Sequence, residues 1–283
     1  MRIVISADIE GASGVVSGRE TGYPRKVGGD PQSAAEYRAA CRWLTEDINA
    51  AIEGARAAGA SEFVVHDSHG MDYANVLLDE LDPSVDVVKG MPLVFFDPGD
   101  LEKGHYDAAF LIGMHARAGQ PGVQSHVLDW PRFREVRING LPVSESTLSI
   151  ALASYYHLPT ILVTGDDLIC GEVSRWTNGV IETAVVKYSF SRYAARCVGM
   201  KNARDLIRSA ASRAVKNARK IPPAAFSTPI TLEVDILDPQ LALYVSWMPN
   251  IEYDGACTVR YRSDDFLRIY KTLFAMFWLC HLD

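Results

Sequence analysis

The chain has 283 residues, 48% of them hydrophobic and 22% charged, which excludes a disordered or fibrous protein and leaves room for a substantial core. A formal net charge of −7, with no clustered Lys/Arg, argues against a nucleic-acid-binding face. Five cysteines, an odd number without regular spacing, exclude a disulfide framework and suit a reducing compartment.

The most apolar stretch, "TLFAMFWLC", is far shorter than the roughly 20 residues needed to cross a bilayer. Only "IVIS" precedes the first acid, too little for a signal-peptide core. A soluble, cytoplasmic protein without a membrane partner is expected.

In chain order, "RIVIS" predicts a strand, followed by a Gly-rich loop and a helix starting at Asp30-Pro31. Leu44, Ile48, Ala51, Ile52 and Ala55 recur at helical spacing, and Gly59 stops that helix. "SEFVVHD", "VDVVKG" and "DAAFLIGMH" predict three further strands. Beyond residue 126, "FREVRINGLPVSES" predicts a hairpin turning at Asn139-Gly140, then a helix from Thr147 to Tyr156. "TILVTGDD" reads as a strand whose acids cap the next helix, and "VIETAVVKYS" as another strand. Lys201 to Lys220 predicts an amphipathic surface helix with solvated cations. "ITLEVDI" and "ACTVRYR" predict strands, and the last helix is expected to start at Ser263 with Asp264 and Asp265 in its first turn.

Alternating strands and helices predict an α/β fold: three layers, α/β/α, with a mainly parallel sheet in the N-terminal half and a mixed α+β second half. The expected division is a metal-binding α/β domain over 1–125 and a mixed domain over 126–283, whose final segment can pack back on the first. No Pro/Ser linker marks the boundary.

The acids and histidines fall in a pattern. Asp8 and Glu10 follow the first strand, His69 the second and His115 the fourth. In a parallel sheet these loops open on one edge, where ligands collect. Glu145, after the hairpin, and His126, in "QSHVLDW", can reach the same cleft. Carboxylates and imidazoles together suit a borderline divalent metal such as zinc. A two-metal site needs a bridging carboxylate, and Asp8 is well placed to bridge. Singly, each residue also reads as an ordinary loop acid, cap or core histidine; their repeated placement at strand ends is what points to a metal. His66 lies on the strand face opposite Asp67 and reads as structural, as do His105, His157 and His281. No dinucleotide loop, phosphate loop or G-x-S-x-G elbow is present, and neither Ser6 nor Ser68 has an adjacent base.

"SADIEG" matches the S-x-D-x-E-G signature of the peptidase M55 family, the zinc-dependent D-aminopeptidases of the dipeptide-transport-operon type. "LTEDINAAIEGARAAGASEFVVHDSHG", "LIGMHARAG", "SHVLDW", "INGLPVSES" and "LVTGDD" resemble the same family, in the same order, along essentially the whole chain. The resemblance implies a dinuclear zinc centre, two ions per subunit, with ligands on Asp8, Glu10, His69, His115 and Glu145. It makes His126 an additional active-site histidine outside the ligand set, acting by proton transfer to the departing amine or by holding the oxyanion. It further implies a large ring-like homo-oligomer. Ser144 departs from the family's usual glycine and adds a hydroxyl beside Glu145.

The activity expected is hydrolysis of the N-terminal peptide bond of short peptides, D-residue peptides among them. The rival expectations are a dinuclear amidase acting on a non-peptide amide, a phosphoesterase and a non-catalytic peptide-binding protein. Few basic residues other than Arg117 stand near the ligands to hold a phosphate, which ranks phosphoesters lower.

Overall fold

The first strand, β1 (Arg2–Ala7), is almost wholly buried, as its run of apolar residues requires. Next come α1 (Pro31–Ala57), β2 (Glu62–Asp67), β3 (Asp86–Val88), α2 (Pro98–Lys103) and β4 (Ala108–Met114). The middle of the chain forms β5 (Phe133–Ile138), β6 (Leu141–Pro142), α3 (Glu145–Tyr155), β7 (Thr160–Asp166) and α4 (Asp167–Trp176). It continues as β8 (Glu182–Ser191), β9 (Ala194–Cys197) and α5 (Met200–Asn217). The last part holds β10 (Ile230–Ile236), α6 (Pro239–Ser246), β11 (Glu252–Tyr253), β12 (Thr258–Ser263) and α7 (Phe266–Leu279). This computed structural model describes residues 1–22, 31–70, 74–90, 95–128, 130–218, 221–222 and 224–281. The helix start expected at Asp30, Asp129 of "SHVLDW" and the helix end expected at Lys220 lie outside the described residues.

Two sheets organise the chain. The larger runs β3-β2-β1-β4-β7-β8-β9, parallel throughout except for β9, which turns back on β8. Its strands come from both sides of residue 126. The smaller sheet, β11-β12-β10-β5-β6, is antiparallel, and Asn139 and Gly140 (φ 51° and 77°) make the β5–β6 turn. The fold is thus α/β with a mainly parallel sheet and a mixed α+β remainder, as the pattern of elements predicts.

Alternation along the parallel strands splits the core between their two faces. Ile3, Ile5, Phe110 and Ile112 pack with α1 and α5, while Val4, Leu111 and Val163 pack with the second sheet and α3, α4 and α7. Among the described residues no helix is long and apolar enough to cross a membrane.

Two boundaries differ from expectation for local reasons. α3 begins at Glu145 rather than Thr147, because Ser144 is its N-cap and accepts from Thr147 N at 3.1 Å. α7 begins at Phe266 rather than Ser263, because Ser263 still belongs to β12 and Asp265 caps the helix from outside. Asp265 accepts from Leu267 N at 2.8 Å. The short helices α2 and α6 carry too few turns to show a period.

Candidate metal centre

The parallel order puts the carboxyl ends of β1, β2, β4, β7 and β8 on one edge; the segments after β1, β2 and β4 carry Asp8, Glu10, His69, His115 and His126, and Glu145 joins them from the start of α3. Asp8 continues the ladder past β1, its N–H donating to Ile112 O at 2.9 Å, and Gly11 N donates to Gly113 O at 2.7 Å. At Gly11 a Cβ would collide with the Met114 carbonyl; at Gly113 (φ +76°) it would collide with the Asp8 carbonyl. Only glycine lets the loop after β1 and the end of β4 touch main chain to main chain.

All six residues converge. His69 Nδ1 lies 3.2 Å from Asp8 Oδ1 and 3.7 Å from Glu10 Oε2. His115 Nε2 lies 3.4 Å from Asp8 Oδ2, 3.3 Å from Glu10 Oε2 and 3.5 Å from Glu145 Oε2. His126 Nε2 is 3.5 Å from Glu10 Oε2, and its ring stacks on that of His115, centroids 4.5 Å apart. Asp8, Glu10, His115 and Glu145 are each less than a tenth exposed. Asp8 belongs to two compact ligand groups, one with Glu10 and His69, the other with His115 and Glu145; a third unites Glu10, His115 and His126.

The tautomers are set from behind. His69 Nε2 donates to Thr21 O at 3.2 Å, His115 Nδ1 to Ala116 O at 3.0 Å and His126 Nδ1 to Gln124 O at 2.7 Å, since a carbonyl can only accept. Each ring therefore turns its other nitrogen, a lone pair when neutral, toward carboxylates. His115 Nε2 is buried and makes no hydrogen bond at all. Lone pairs facing carboxylates need positive charge between them. The N/O donor set fits zinc, and backbone carbonyls holding the outer ring nitrogens are the usual support of metal-binding histidines.

Electrostatics gives the same answer. Burial works to lower the pKa of His69, but the charge of Glu10 and the hydrogen bond to Asp8 carry it up to about 9. Burial likewise opposes protonation of His115, yet Glu145, Glu10 and Asp8 hold it well above the ordinary imidazole value. Asp8 and Glu145 sit below the usual carboxylate range despite burial, through the hydrogen bond from His69 and the charge of His115 respectively. At the first turn of α3, Glu145 also gains from the helix N-terminus, and its Oε1 accepts from Leu128 N at 2.7 Å.

Sequence reasoning missed the residues that hold these loops. Asp67 accepts from Asn75 N, Asn75 Nδ2 and Val76 N, and Asn75 Nδ2 also donates to His69 O. Asp166 caps α4, as the sequence predicts, but its contact with the His115 segment was not foreseen: it accepts from Ala116 N at 2.9 Å. Lys187, fully buried on β8, donates to Glu10 O and Val15 O. A lone lysine inside the apolar run "TAVVKYS" was its signal in the sequence.

The remaining histidines stay apart. His66 accepts from Asp97 N and donates to Asp100 Oδ2 at 2.9 Å, a structural role. His105 and His157 precede β4 and β7, toward the opposite edge, and His281 donates to Phe277 O. Ser6 and Ser68 bond to each other, and Ser68 to Ala7 O, so neither is a poised nucleophile. Arg117 lies 3.3 Å from Glu172 and 4.0 Å from Glu135, ion pairs that occupy it and leave the phosphoesterase reading without support.

Known proteins resemble this chain along nearly its whole length. A D-aminopeptidase of Bacillus subtilis (strain 168) is 30% identical over 277 residues, covering 98% of this chain and 96% of the relative. The solved structure of the Zn-dependent D-aminopeptidase DppA from Bacillus subtilis, a self-compartmentalizing protease, is similar at a TM-score of 0.87 and 28% identity, over 100% of this chain and 99% of that one. Residues 1–275 match the peptidase M55 family, described as D-aminopeptidase, so from its first strand into its last helix this chain belongs to that family.

Proposed function

We propose that the protein is a zinc-dependent aminopeptidase that removes the N-terminal residue, a D-residue included, from short peptides. Asp8, Glu10, His69, His115 and Glu145 would hold two zinc ions, Asp8 being the residue placed to serve both. What carries this reading is His115 Nε2, buried, without a hydrogen bond, and within 3.3–3.5 Å of carboxylates from three separate residues. The sharing of Asp8 between two ligand groups supports a pair of ions rather than one.

The chemistry that zinc supplies when bound is a water acidified from 15.7 toward about 7 and a polarised scissile carbonyl. With zinc bound, the charges of Asp8, Glu10 and Glu145 would be balanced by the ions, and it is a neutral α-amino group, a nitrogen donor, that the centre would accept, which orients the N-terminal bond toward it. His126, with Nδ1 donating to Gln124 O, presents Nε2 as an acceptor, so it takes up a proton there and returns it to the departing amine. That geometry favours proton transfer over oxyanion binding, which needs Nε2 already protonated.

The same reading makes the subunit part of a ring-like homo-oligomer, as the self-compartmentalizing relative suggests. Exposed Phe190, Tyr193 and Trp247 offer apolar area for such contacts. The free cysteines support a cytoplasmic location.

The test is metal analysis of the purified protein, followed by hydrolysis of paired D- and L-aminoacyl amides with and without chelator. Zinc-dependent release of the amino acid supports the proposal, and chelator-insensitive binding without product defeats it. Asp8→Ala is expected to fold and to lose zinc; unchanged metal content and activity would rule out the shared ligand.

A further inference from the structure

The β8–β9 hairpin ends on the edge of the sheet where the metal centre lies, since β8 runs parallel to β1 and β4. It is tied to the loop that carries His126. Val123 N donates to Ser189 Oγ at 3.3 Å, Gln124 N donates to Arg192 O at 2.8 Å, and Gln124 O holds His126 Nδ1. One residue therefore separates the hairpin tip from the active-site imidazole.

Arg192 stands out among the arginines near this edge. Arg117 and Arg137 are committed to carboxylates. The guanidinium of Arg192 makes no hydrogen bond or ion pair among the described residues, and its Nε is buried without a partner. Its Cζ sits over the Trp130 ring, 3.4 Å from the centroid, with the Tyr193 ring 5.5 Å away. Stacking occupies the face of a guanidinium and leaves its N–H edges free, the edges that match a carboxylate in a two-pronged contact. Partial burial works against the charge, but an arginine remains cationic through such losses, and the charge of Glu10 reaches it.

A second donor belongs to Gln124, whose main-chain N–H bonds to Arg192 O. Gln124 is only 5% exposed, and its Nε2 finds no acceptor. Two unsatisfied donors next to one catalytic loop are costly for a protein to keep unless a ligand completes them.

We propose that Arg192, with the side-chain amide of Gln124, receives the free C-terminal carboxylate of a short peptide. This rests on the aminopeptidase reading above. The substrate then lies with its amino end at the metal centre and its carboxylate end toward Arg192. Both anchors belong to fixed parts of one fold, so the site selects peptides short enough to reach both. Arg192 is a specificity-determining binding residue and takes no part in breaking the bond.

The experiment compares kcat/KM for D-alanylglycine and D-alanylglycinamide, using the zinc-loaded full-length enzyme and its Arg192→Ala and Gln124→Met variants. The expected result is a preference of the parent for the free acid by roughly ten- to hundredfold, the range for charge-assisted hydrogen bonds. The preference resides mainly in KM. In Arg192→Ala the ratio falls toward unity, and in Gln124→Met it falls partway. An acid-to-amide ratio near unity in the parent, or one that Arg192→Ala leaves unchanged, overturns the carboxylate site alone. Turnover of neither substrate overturns the aminopeptidase reading and this proposal with it. A change in assembly size on Arg192→Ala, seen by light scattering with the ratio intact, assigns the hairpin to subunit contact and overturns the proposal too.

Discussion

Lys187 Nζ, buried in the middle of β8, donates to the main-chain carbonyl of Glu10 at 3.0 Å, across 177 residues of chain. With its second bond to Val15 O, the lysine holds the loop that leaves β1 at two points. Burial pushes its pKa down to about 8, which is the cost of placing an ammonium group behind a proposed ligand. Lys187→Met keeps the length of the side chain and removes both bonds. Zinc affinity and kcat/KM are expected to fall by roughly ten- to hundredfold, as for other outer partners of a metal site. Zinc titration of a variant shown folded by circular dichroism checks this, and unchanged affinity would refute the role.

His126→Ala separates proton transfer from metal binding. Turnover should fall by roughly a hundredfold or more. Zinc content should stay near that of the parent, because the ligands around Asp8 do not include His126. Zinc lost in parallel with activity would instead make His126 a ligand, a role its place in a group with Glu10 and His115 allows.

Zinc uptake should depend on pH with a definite sign. In the metal-free protein His69 holds its proton up to about pH 9, and His115 well above its ordinary value. Zinc must displace those protons, so its apparent affinity rises with pH through neutrality, by about tenfold per unit for each proton displaced. Adding zinc to weakly buffered apoprotein at pH 7 should acidify the solution, and proton-free uptake would contradict the ligand assignment.

Asp47, on α1, accepts from Ser13 N at 2.8 Å and is 1% exposed. Burial raises its pKa to about 6 from 3.8. The native state therefore binds the extra proton between those values, and this group's contribution to stability declines as pH rises from about 4 to 6. Asp47→Asn should have little effect at pH 4 and should stabilise by about 1–3 kcal/mol above pH 6. Tm of both proteins across that range is the measurement; a gap that shrinks with rising pH would show the sign to be wrong.

The strands were legible because a parallel sheet buries both faces, leaving unbroken apolar runs such as "AAFLIGM". Placing Asp8, His69 and His115 on one edge needed only the direction of those strands. The helix starts were less legible. Ser144 and Asp265 stand outside their helices as caps, and a capping residue is hard to tell from a first-turn residue by type alone. The supporting contacts were least legible of all. Lys187 with Glu10, Asp166 with Ala116 and Gln124 with Arg192 are pairs joined only by the fold, and no local spacing records them.

The interlock of Gly11 and Gly113 bears on how such a catalyst can be redesigned. Where two backbones meet with no side chain between them, no graded series of substitutions can widen or narrow the gap. The distance from Asp8 to His115 is therefore a fixed gauge, and libraries aimed at new substrates should spare that seam. Their variation belongs at exposed side chains of the β8–β9 hairpin such as Phe190 and Tyr193, which stand clear of that seam.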